Sequence, residues 1–564
     1  MSSDKRWFKY YGNIPHTLNY PDISMYKMVK EVGDKYPEYA AYDFMGRSVN
    51  YSAFLKEVET CAKALVSYGV RKGDVVTICM PNVPQAVIMF YAINMVGGVA
   101  SMVHPLSAEN EILFYLTESK SKLALTLSQF YDKFENIKGK TGVEKVIVAT
   151  IGEALPSMKG FIYRFVGKEP KVKEGSWCVS WQNFLESAGT GAITHEGKGE
   201  DSAAILFSGG TTGTSKGILL TNLNFNALAM QTIAAAECFE AGDTMLSVMP
   251  VFHGFGLGIG IHTMLASGGK CVLVPRLNVA EFPGLFKKHR PSYMAGVPTL
   301  FEAMMRNDDM KKADLSCLKG LFSGGDSLSV ELKKKIDAFL KEHGAKIQVR
   351  EGYGTTECVT ASCLTPSKYY REGSIGIPFP DTYYKIVVPN TNEEASIGEM
   401  GEICISGPTL MKEYINNPKE TSQTLRMHDD GLVYLHTGDL GYMDEDGFIY
   451  FVQRLKRMII TNGYNVYPSQ IENVIDSHEA VMFSTVIGVK DEIRMQRVKA
   501  FIVLKDGFTP TEEIKESIRK HCEKNIAKYA LPREYEFRDA LPKTLVGKIA
   551  YRELEKEEEE KVLV

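Results

Sequence analysis

No CxxC pair occurs among the ten cysteines of this 564-residue chain, the closest two being Cys358 and Cys363. No HxxxH pair occurs among its eleven histidines. Neither a zinc-finger type of metal site nor a disulfide framework is therefore expected, and a reducing, cytoplasmic setting is the simplest reading. An excess of one charge sign is also lacking. The 65 basic and 69 acidic side chains leave a formal charge of −4, which argues against general nucleic-acid binding. The first residues, MSSDKRWFKYYGN, are charged and aromatic and lack the apolar segment of a signal peptide. Long uncharged runs are nearly missing too. The one that stands out, Ala86 to Val103, touches the lower length limit of a membrane span, but Pro84 and Gly97–Gly98 divide it into a buried helix and a core strand.

What is present is the composition of a soluble multidomain protein, 44% hydrophobic and 24% charged. From Tyr26 onward the sequence alternates helix and strand. YKMVKEVGDKYP reads as an amphipathic helix, AAYDF and RSVNY as a strand pair, YSAFLKEVETCAKALVSYG as a longer helix, and DVVTICM, KLALTLS and KVIVAT as buried strands. Such alternation predicts mainly parallel sheets covered on both faces. After Gly373 the texture changes to short strands and turns, YYKIVVPN and GEICISG, predicting a β-rich module. A last βα stretch follows, and the chain ends in ELEKEEEEKVLV, read as a solvated or frayed helical tail. Residues 155–168 mix Phe161, Ile162, Tyr163, Phe165 and Val166 with lysines and an arginine. They read as a surface excursion with solvated lysines or as an amphipathic element in peripheral contact with a membrane.

The stretch Ser208–Gly217, SGGTTGTSKG, has four Gly, three Thr, two Ser and one Lys among its ten positions. Glycines let backbone N–H groups turn towards an anion, hydroxyls add donors and the lysine adds charge, which suits a phosphate-holding loop. It departs from the common P-loop, because Lys216 lies between Ser215 and Gly217. The apolar flanks AAILF and GILLT predict a strand-to-strand connection, and Asn222 is the expected cap of the helix that follows, to about Glu237. The alternative for the loop is a flexible Gly/Ser/Thr linker.

Five further motifs follow in order: PVFHGFG (250–256), GYGTTE (352–357), HTGD (436–439), RLKRMIITNGYNVYP (454–468) and PKTLVGK (542–548). Together with the glycine loop they resemble the adenylate-forming superfamily of acyl- and aryl-CoA synthetases, AMP-binding enzymes among which fatty acyl-CoA ligases look most similar. The resemblance covers about residues 25–555. It implies an α/β fold with a large N-terminal unit, residues 1–455, and a small mobile α+β C-terminal unit, residues 456–564, with a hinge near Lys456. It further implies an ATP-dependent acid–thiol ligase that converts a carboxylate, expected to be a medium- or long-chain fatty acid, to acyl-AMP and passes the acyl group to coenzyme A. An aryl acid as substrate, or delivery to a carrier protein, is the alternative.

By this resemblance Ser208, Gly209, Gly210, Thr211, Thr212, Gly213, Thr214 and Lys216 would hold the β- and γ-phosphates of ATP. Gly209 and Ser215 depart from the pattern usual in that loop. Gly324, Gly325 and Asp326 would approach the adenine edge, with Tyr353, Gly354 and Thr355 beside it. Thr356 would contact the α-phosphate and Glu357 would coordinate Mg²⁺, a hard cation suited to carboxylate oxygen. Asp439 would accept from the ribose hydroxyls and Arg454 would add a charge-assisted contact. His253 would gate the acyl pocket or orient the carboxylate, a structural histidine being the alternative. Asn462, Gly463 and Tyr464 would serve thiol entry, although Arg457 and Asn462 depart from the residues frequent in relatives. For Glu357, Asp439 and Arg454 the plain alternatives are a surface carboxylate, a turn aspartate and a solvated arginine.

Lys548 would bridge the substrate carboxylate and the α-phosphate, supplying charge where two anions must meet. Lys548→Ala is expected to abolish acyl-adenylate formation while leaving thioester formation from supplied acyl-adenylate largely intact. Separate assays of the two half-reactions check this, and equal loss in both would make the lysine a structural residue.

Overall fold

A computed structural model describes residues 5–156, 159–160, 170, 172, 174–208, 215–276, 278–461, 464–491, 495–543 and 549–562. Local sequence explains how its early elements begin and end. Asn50 closes the strand Arg47–Asn50, and its side chain accepts from the Ala53 N–H, so the helix Tyr51–Ser67 starts with one of its unsatisfied donors met. Pro84 opens the helix Pro84–Val96 and Gly97, at φ 82°, stops it. That helix is buried along nearly its whole length and is followed by the strand Val99–Met102, as the proline and glycine punctuation predicts. Among the described residues no helix is long and apolar enough to cross a membrane.

Two large sheets are built from strands up to residue 378 together with Glu413–Tyr414. In the first, the strands run in the order Glu413–Tyr414, Lys216–Thr221, Ser202–Ser208, Val99–Met102, Val75–Cys79, Leu123–Leu127, Lys145–Ala149 and Cys178–Ser180. From Ser202–Ser208 onward its pairs are parallel. In the second sheet Ala40–Phe44, Lys270–Leu273, Thr244–Ser247, Tyr293–Gly296, Gly320–Ser323 and Val349–Tyr353 form a parallel centre. One continuous apolar core joins both sheets to the helices Tyr51–Ser67, Pro84–Val96 and Asn222–Ala236. The β-rich module is a sheet of Tyr383–Val387, Gly401–Ser406, Val433–Met443, Leu425–Met427 and Ile449–Arg454. The last unit pairs Ile459–Thr461, Tyr464–Val466, Val481–Asp491, Met495–Leu504 and Glu534–Phe537, with helices Pro468–Asp476 and Glu512–Asn525, around apolar clusters of its own.

Two expectations need correction. Thr221, not Asn222, caps the helix Asn222–Ala236: its side chain accepts from the Asn224 N–H, while Asn222 is the first helical residue and holds the Met25 N–H and the Asn94 amide through its Oδ1. The acidic tail is not a frayed end either. It is helical, as expected, over Tyr551–Val562, but Leu554 is fully buried, and Glu558 Oε2 lies 2.8 Å from Nζ of Lys499, a buried lysine that also contacts Glu536 at 2.8 Å. Glu558 of the tail is thus paired with a buried cation more than fifty residues earlier, which composition alone does not reveal. Most of the segment 155–168 lies outside the described residues.

Phe255–Thr263 is a π-helix of nine residues, an uncommon form that recurs at functional sites. Its glycines permit close packing: a Cβ at Gly256 would collide with the carbonyls of Met249 and Pro250, and one at Gly258 would lie 2.7 Å from Leu228 Cδ2. At its end His262 is wholly buried. Asn226 donates its amide to Ile23 O, so its Oδ1 accepts from His262 Nε2 at 3.0 Å, and the Tyr91 hydroxyl meets Nδ1 at 3.0 Å. Every polar atom of the imidazole is satisfied in the neutral form, and burial depresses its pKa from 6.5 to about 3. Because the unfolded chain binds this proton below 6.5 and the folded chain does not, the neutral histidine's stabilisation is complete above 6.5 and is lost as pH falls towards 3. One such group costs about 2 kcal/mol at pH 5 relative to pH 7.5. Denaturant titrations at both pH values should show a smaller loss for His262→Gln than for the wild type; equal losses would assign the acid sensitivity elsewhere.

Candidate active site

The carboxyl ends of the central parallel strands of the second sheet meet the β-rich module, the location where open α/β sheets place ligands. Val349–Tyr353 delivers Tyr353 there. Its register is fixed from behind by Arg350, a buried guanidinium that donates to Thr365 O and to Ala235 O and Ala236 O, the last carbonyls of the helix Asn222–Ala236.

Asp439 arrives from the module. The pairing of Gly401–Ser406 with Val433–Met443 shifts register between Glu402 and Cys404, so Thr437, Gly438 and Asp439 form a bulge, with Gly438 at φ 70°. Glu402 holds that bulge: Oε1 accepts from the Gly438 N–H at 2.9 Å and Oε2 lies 2.9 Å from His436 Nδ1. The carboxylate of Asp439 is only 2% exposed. The Tyr353 hydroxyl donates to Oδ2 at 2.6 Å, and Arg454, directly opposite on Ile449–Arg454, brings Nε to 3.2 Å from Oδ1. Asp439 is the main reason the guanidinium's pKa is raised, and burial, followed by the Asp439 charge, pushes the Tyr353 hydroxyl well above its usual value.

A second group forms where the first sheet comes closest. Ser208 and Lys216 are Cα partners across the glycine loop, so the loop does join strand to strand; residues 209–214 lie outside the described residues. Ser215, one of the departures noted in the sequence, has its Oγ 3.2 Å from the Tyr115 hydroxyl. Lys216 forms an ion pair with Glu420 and stands 5.0 Å above the ring of Tyr414. The Tyr414 hydroxyl in turn donates to Glu357 Oε1 at 2.7 Å, and the Met411 N–H donates to the Glu357 carbonyl at 2.7 Å. Glu357 follows Thr355 and Thr356 in a short 3₁₀ turn, Thr356–Cys358. Sequence reasoning named Lys216 and Glu357 but missed Tyr414 and Glu420, which stand in a two-residue strand, Glu413–Tyr414, and a seven-residue helix, Pro418–Thr424. Their contact follows from the pairing of Tyr414 with Ile218, which no local motif announces.

Between the two groups the backbone segments approach closely. Gly325 has φ 81°, the Gly324 N–H donates to Gly296 O, and a Cβ at Gly324 would lie 3.2 Å from Gly352 O. Asp326 caps its own turn by accepting from the Ser327 N–H. A Cβ at Gly354 would collide with the backbone of Thr360. Val359 sits at φ 64°, ψ −59°, with the Thr360 N–H donating to Cys358 O at 2.8 Å, a γ-turn that is strained for a β-branched residue. Its carbonyl occupies the space a side chain at Gly254 would need. His253 ties the same corner: its N–H donates to Pro250 O and its Nδ1 accepts from the Phe255 N–H at 3.2 Å. Behind this corner lies a narrow cavity of about 40 Å³ walled by Phe255, Ile259, Phe322, Leu364 and Phe379.

Lys456 belongs to the 3₁₀ turn Leu455–Arg457 immediately after Arg454. Arg457 donates to Glu472 Oε1 at 2.6 Å and to Val486 O, and stands 4.6 Å above the Tyr551 ring, so this turn is fastened to the last unit. Tyr464 begins the strand Tyr464–Val466. Asn462, Gly463 and Lys548 lie outside the described residues.

The family model of the AMP-binding enzyme matches residues 29–415, and that of the AMP-binding enzyme C-terminal domain matches residues 470–548. A long-chain-fatty-acid–CoA ligase of Bacillus subtilis is 34% identical over 574 aligned residues, covering 99% of each chain. Among solved structures, the ATP-bound RpMatB-BxBclM chimera B1 superposes with a TM-score of 0.83 at 25% identity, covering 95% of this chain and 99% of that one. The anthranilate CoA ligase AuaEII with anthranoyl-AMP shares the fold, with a TM-score of 0.84 at 23% identity, covering 98% of this chain and all of that one. The order of motifs, the meeting of the two sheets with the β-rich module, and these full-length matches together place the chain in the AMP-binding enzyme family.

Proposed function

We propose that this chain is an ATP-dependent ligase that activates a medium- or long-chain fatty acid as acyl-AMP and transfers the acyl group to coenzyme A, releasing pyrophosphate and AMP. The observation that carries the reading is the pair of anchors at one end of the sheets. Asp439, held by Tyr353 and Arg454, is set to bind a diol, and Lys216 and Glu357, bridged by Tyr414, are set to bind phosphate and cation. The full-length similarity to a long-chain-fatty-acid–CoA ligase supports an alkyl acid.

A carboxylate offers about four lone-pair sites, so Asp439 can accept ribose hydroxyls beside the donors it already has. Lys216 exchanges Glu420 for phosphate oxygens when nucleotide enters. Glu357 is the residue that would hold Mg²⁺: its carboxylate is a hard oxygen donor, and Tyr414 occupies only one side of it. The bound cation would offset the triphosphate charge. A substrate carboxylate oxygen then attacks the α-phosphorus and pyrophosphate leaves; the coenzyme A thiolate attacks the carbonyl carbon and AMP leaves. Lys548 belongs to the first step. Rotation about Lys456 would replace it with the Asn462–Gly463–Tyr464 loop for the second, with Arg457 carrying the last unit along.

A panel of carboxylic acids with coenzyme A, followed by AMP release, should give the highest kcat/KM with medium or long alkyl chains. Best turnover with benzoate or cinnamate, or activity with a holo carrier protein alone, would overturn the substrate or acceptor assignment. Tyr414→Phe keeps the ring beneath Lys216 but removes the hydroxyl on Glu357. Hydrogen bonds to charged groups are worth roughly 1.5–3 kcal/mol, so kcat/KM for Mg·ATP should fall about 10-fold or more with the melting temperature little changed. An unchanged kcat/KM would separate Glu357 from cation binding.

A further inference from the structure

Beneath the Asp439 bulge lies a cluster for which the proposed reaction has no use. Glu402, Cys404 and His436 are all buried, and one ligand atom from each falls within 4.8 Å of the others. Cys404 and His436 are Cα partners across the strand pair, and Glu402 stands two residues from Cys404. A second imidazole backs His436: His428, 4% exposed, has Nε2 3.0 Å from Nε2 of His436.

The hydrogen bonds define which atoms carry lone pairs. Glu402 takes the proton on His436 Nδ1, so His436 Nε2 is an acceptor and His428 Nε2–H donates to it. That leaves His428 Nδ1 as a bare lone pair, buried and without a hydrogen-bond partner. An ion seated between Glu402 and Cys404 would replace the proton on His436 Nδ1; His436 Nε2 would then donate to His428 Nε2, and the displaced proton would pass to the bare Nδ1 of His428. We propose that Cys404, His436 and Glu402, with His428 bracing His436 from outside, form a binding site for a thiolate- and imidazole-seeking dication of the Zn²⁺ class.

The chemistry of the donor set is consistent. Nitrogen, sulfur and carboxylate ligands are those of zinc, at about 2.0–2.3 Å, so the donors need to draw in only modestly from their present spacing. On binding, the Cys404 proton leaves to solvent and the Cys404–metal bond forms. Thiolate and carboxylate then balance the dication, leaving a neutral cluster suited to burial. Because the Cys404 proton is released on binding, affinity should rise with pH. Because Glu402 also holds the Gly438 N–H, occupancy would fix the bulge that presents Asp439.

The test uses the full-length, tag-free protein stripped by a chelator and titrated with Co²⁺. One equivalent should produce thiolate-to-cobalt charge-transfer absorption, displaced by Zn²⁺. The band should disappear in Cys404→Ser, and affinity should fall at least ~10-fold in His428→Gln, the scale of losing an orienting partner. Absence of the band in the folded wild type, checked by circular dichroism, would overturn the proposal whatever the variants do. Persistence of the band in Cys404→Ser would overturn it as well, by assigning the thiolate to another cysteine.

Discussion

Three parts of the chain depend on the buried carboxylate of Asp439. Tyr353 reaches it from the end of the second large sheet, Arg454 from the neighbouring strand, and Glu402 holds the bulge on which it stands. A charge with 2% exposure is tolerated only when paired and hydrogen-bonded. The same partners that satisfy it also fix the angle between the large sheet and the β-rich module. Arg454 is followed at once by the turn that leads to the last unit, so the anchor and the departure point of that unit are one piece of structure.

The second constraint is the closeness of backbone to backbone. Gly254 against Val359, Gly354 against Thr360 and Gly324 against Gly352 leave no room for side chains. The γ-turn at Val359 is held in place by this packing and by the hydrogen bond from Thr360 to Cys358. These contacts place the short turn carrying Glu357 beside the π-helix that walls the apolar cavity. The phosphate side and the acyl side of the proposed reaction are thus rigidly related, as positioning catalysis requires.

Sequence made the anchors readable because they lie in compact motifs: HTGD and the arginine of RLKRM supply Asp439 and Arg454, and apolar flanks reveal that the glycine loop joins two strands. Tyr414 and Glu420 were not readable, since each stands in an element too short to have a period and acts only through strand pairing. The π-helix was hidden because FGLGIGI alternates glycine with apolar residues and resembles neither a helix nor a polar loop. Thr221 and Asn222 are both competent caps, and only the chain path decides between them. The tail's acidic run reads as solvated until Lys499 is seen beneath it.

The central claim is that a carboxylate oxygen attacks the α-phosphorus of ATP. A fatty acid carrying ¹⁸O in both carboxyl oxygens, supplied with ATP and coenzyme A, tests it by mass spectrometry of the nucleotide product. The account predicts AMP bearing one ¹⁸O and unlabelled pyrophosphate. Unlabelled AMP, or ADP with label in orthophosphate, would contradict it.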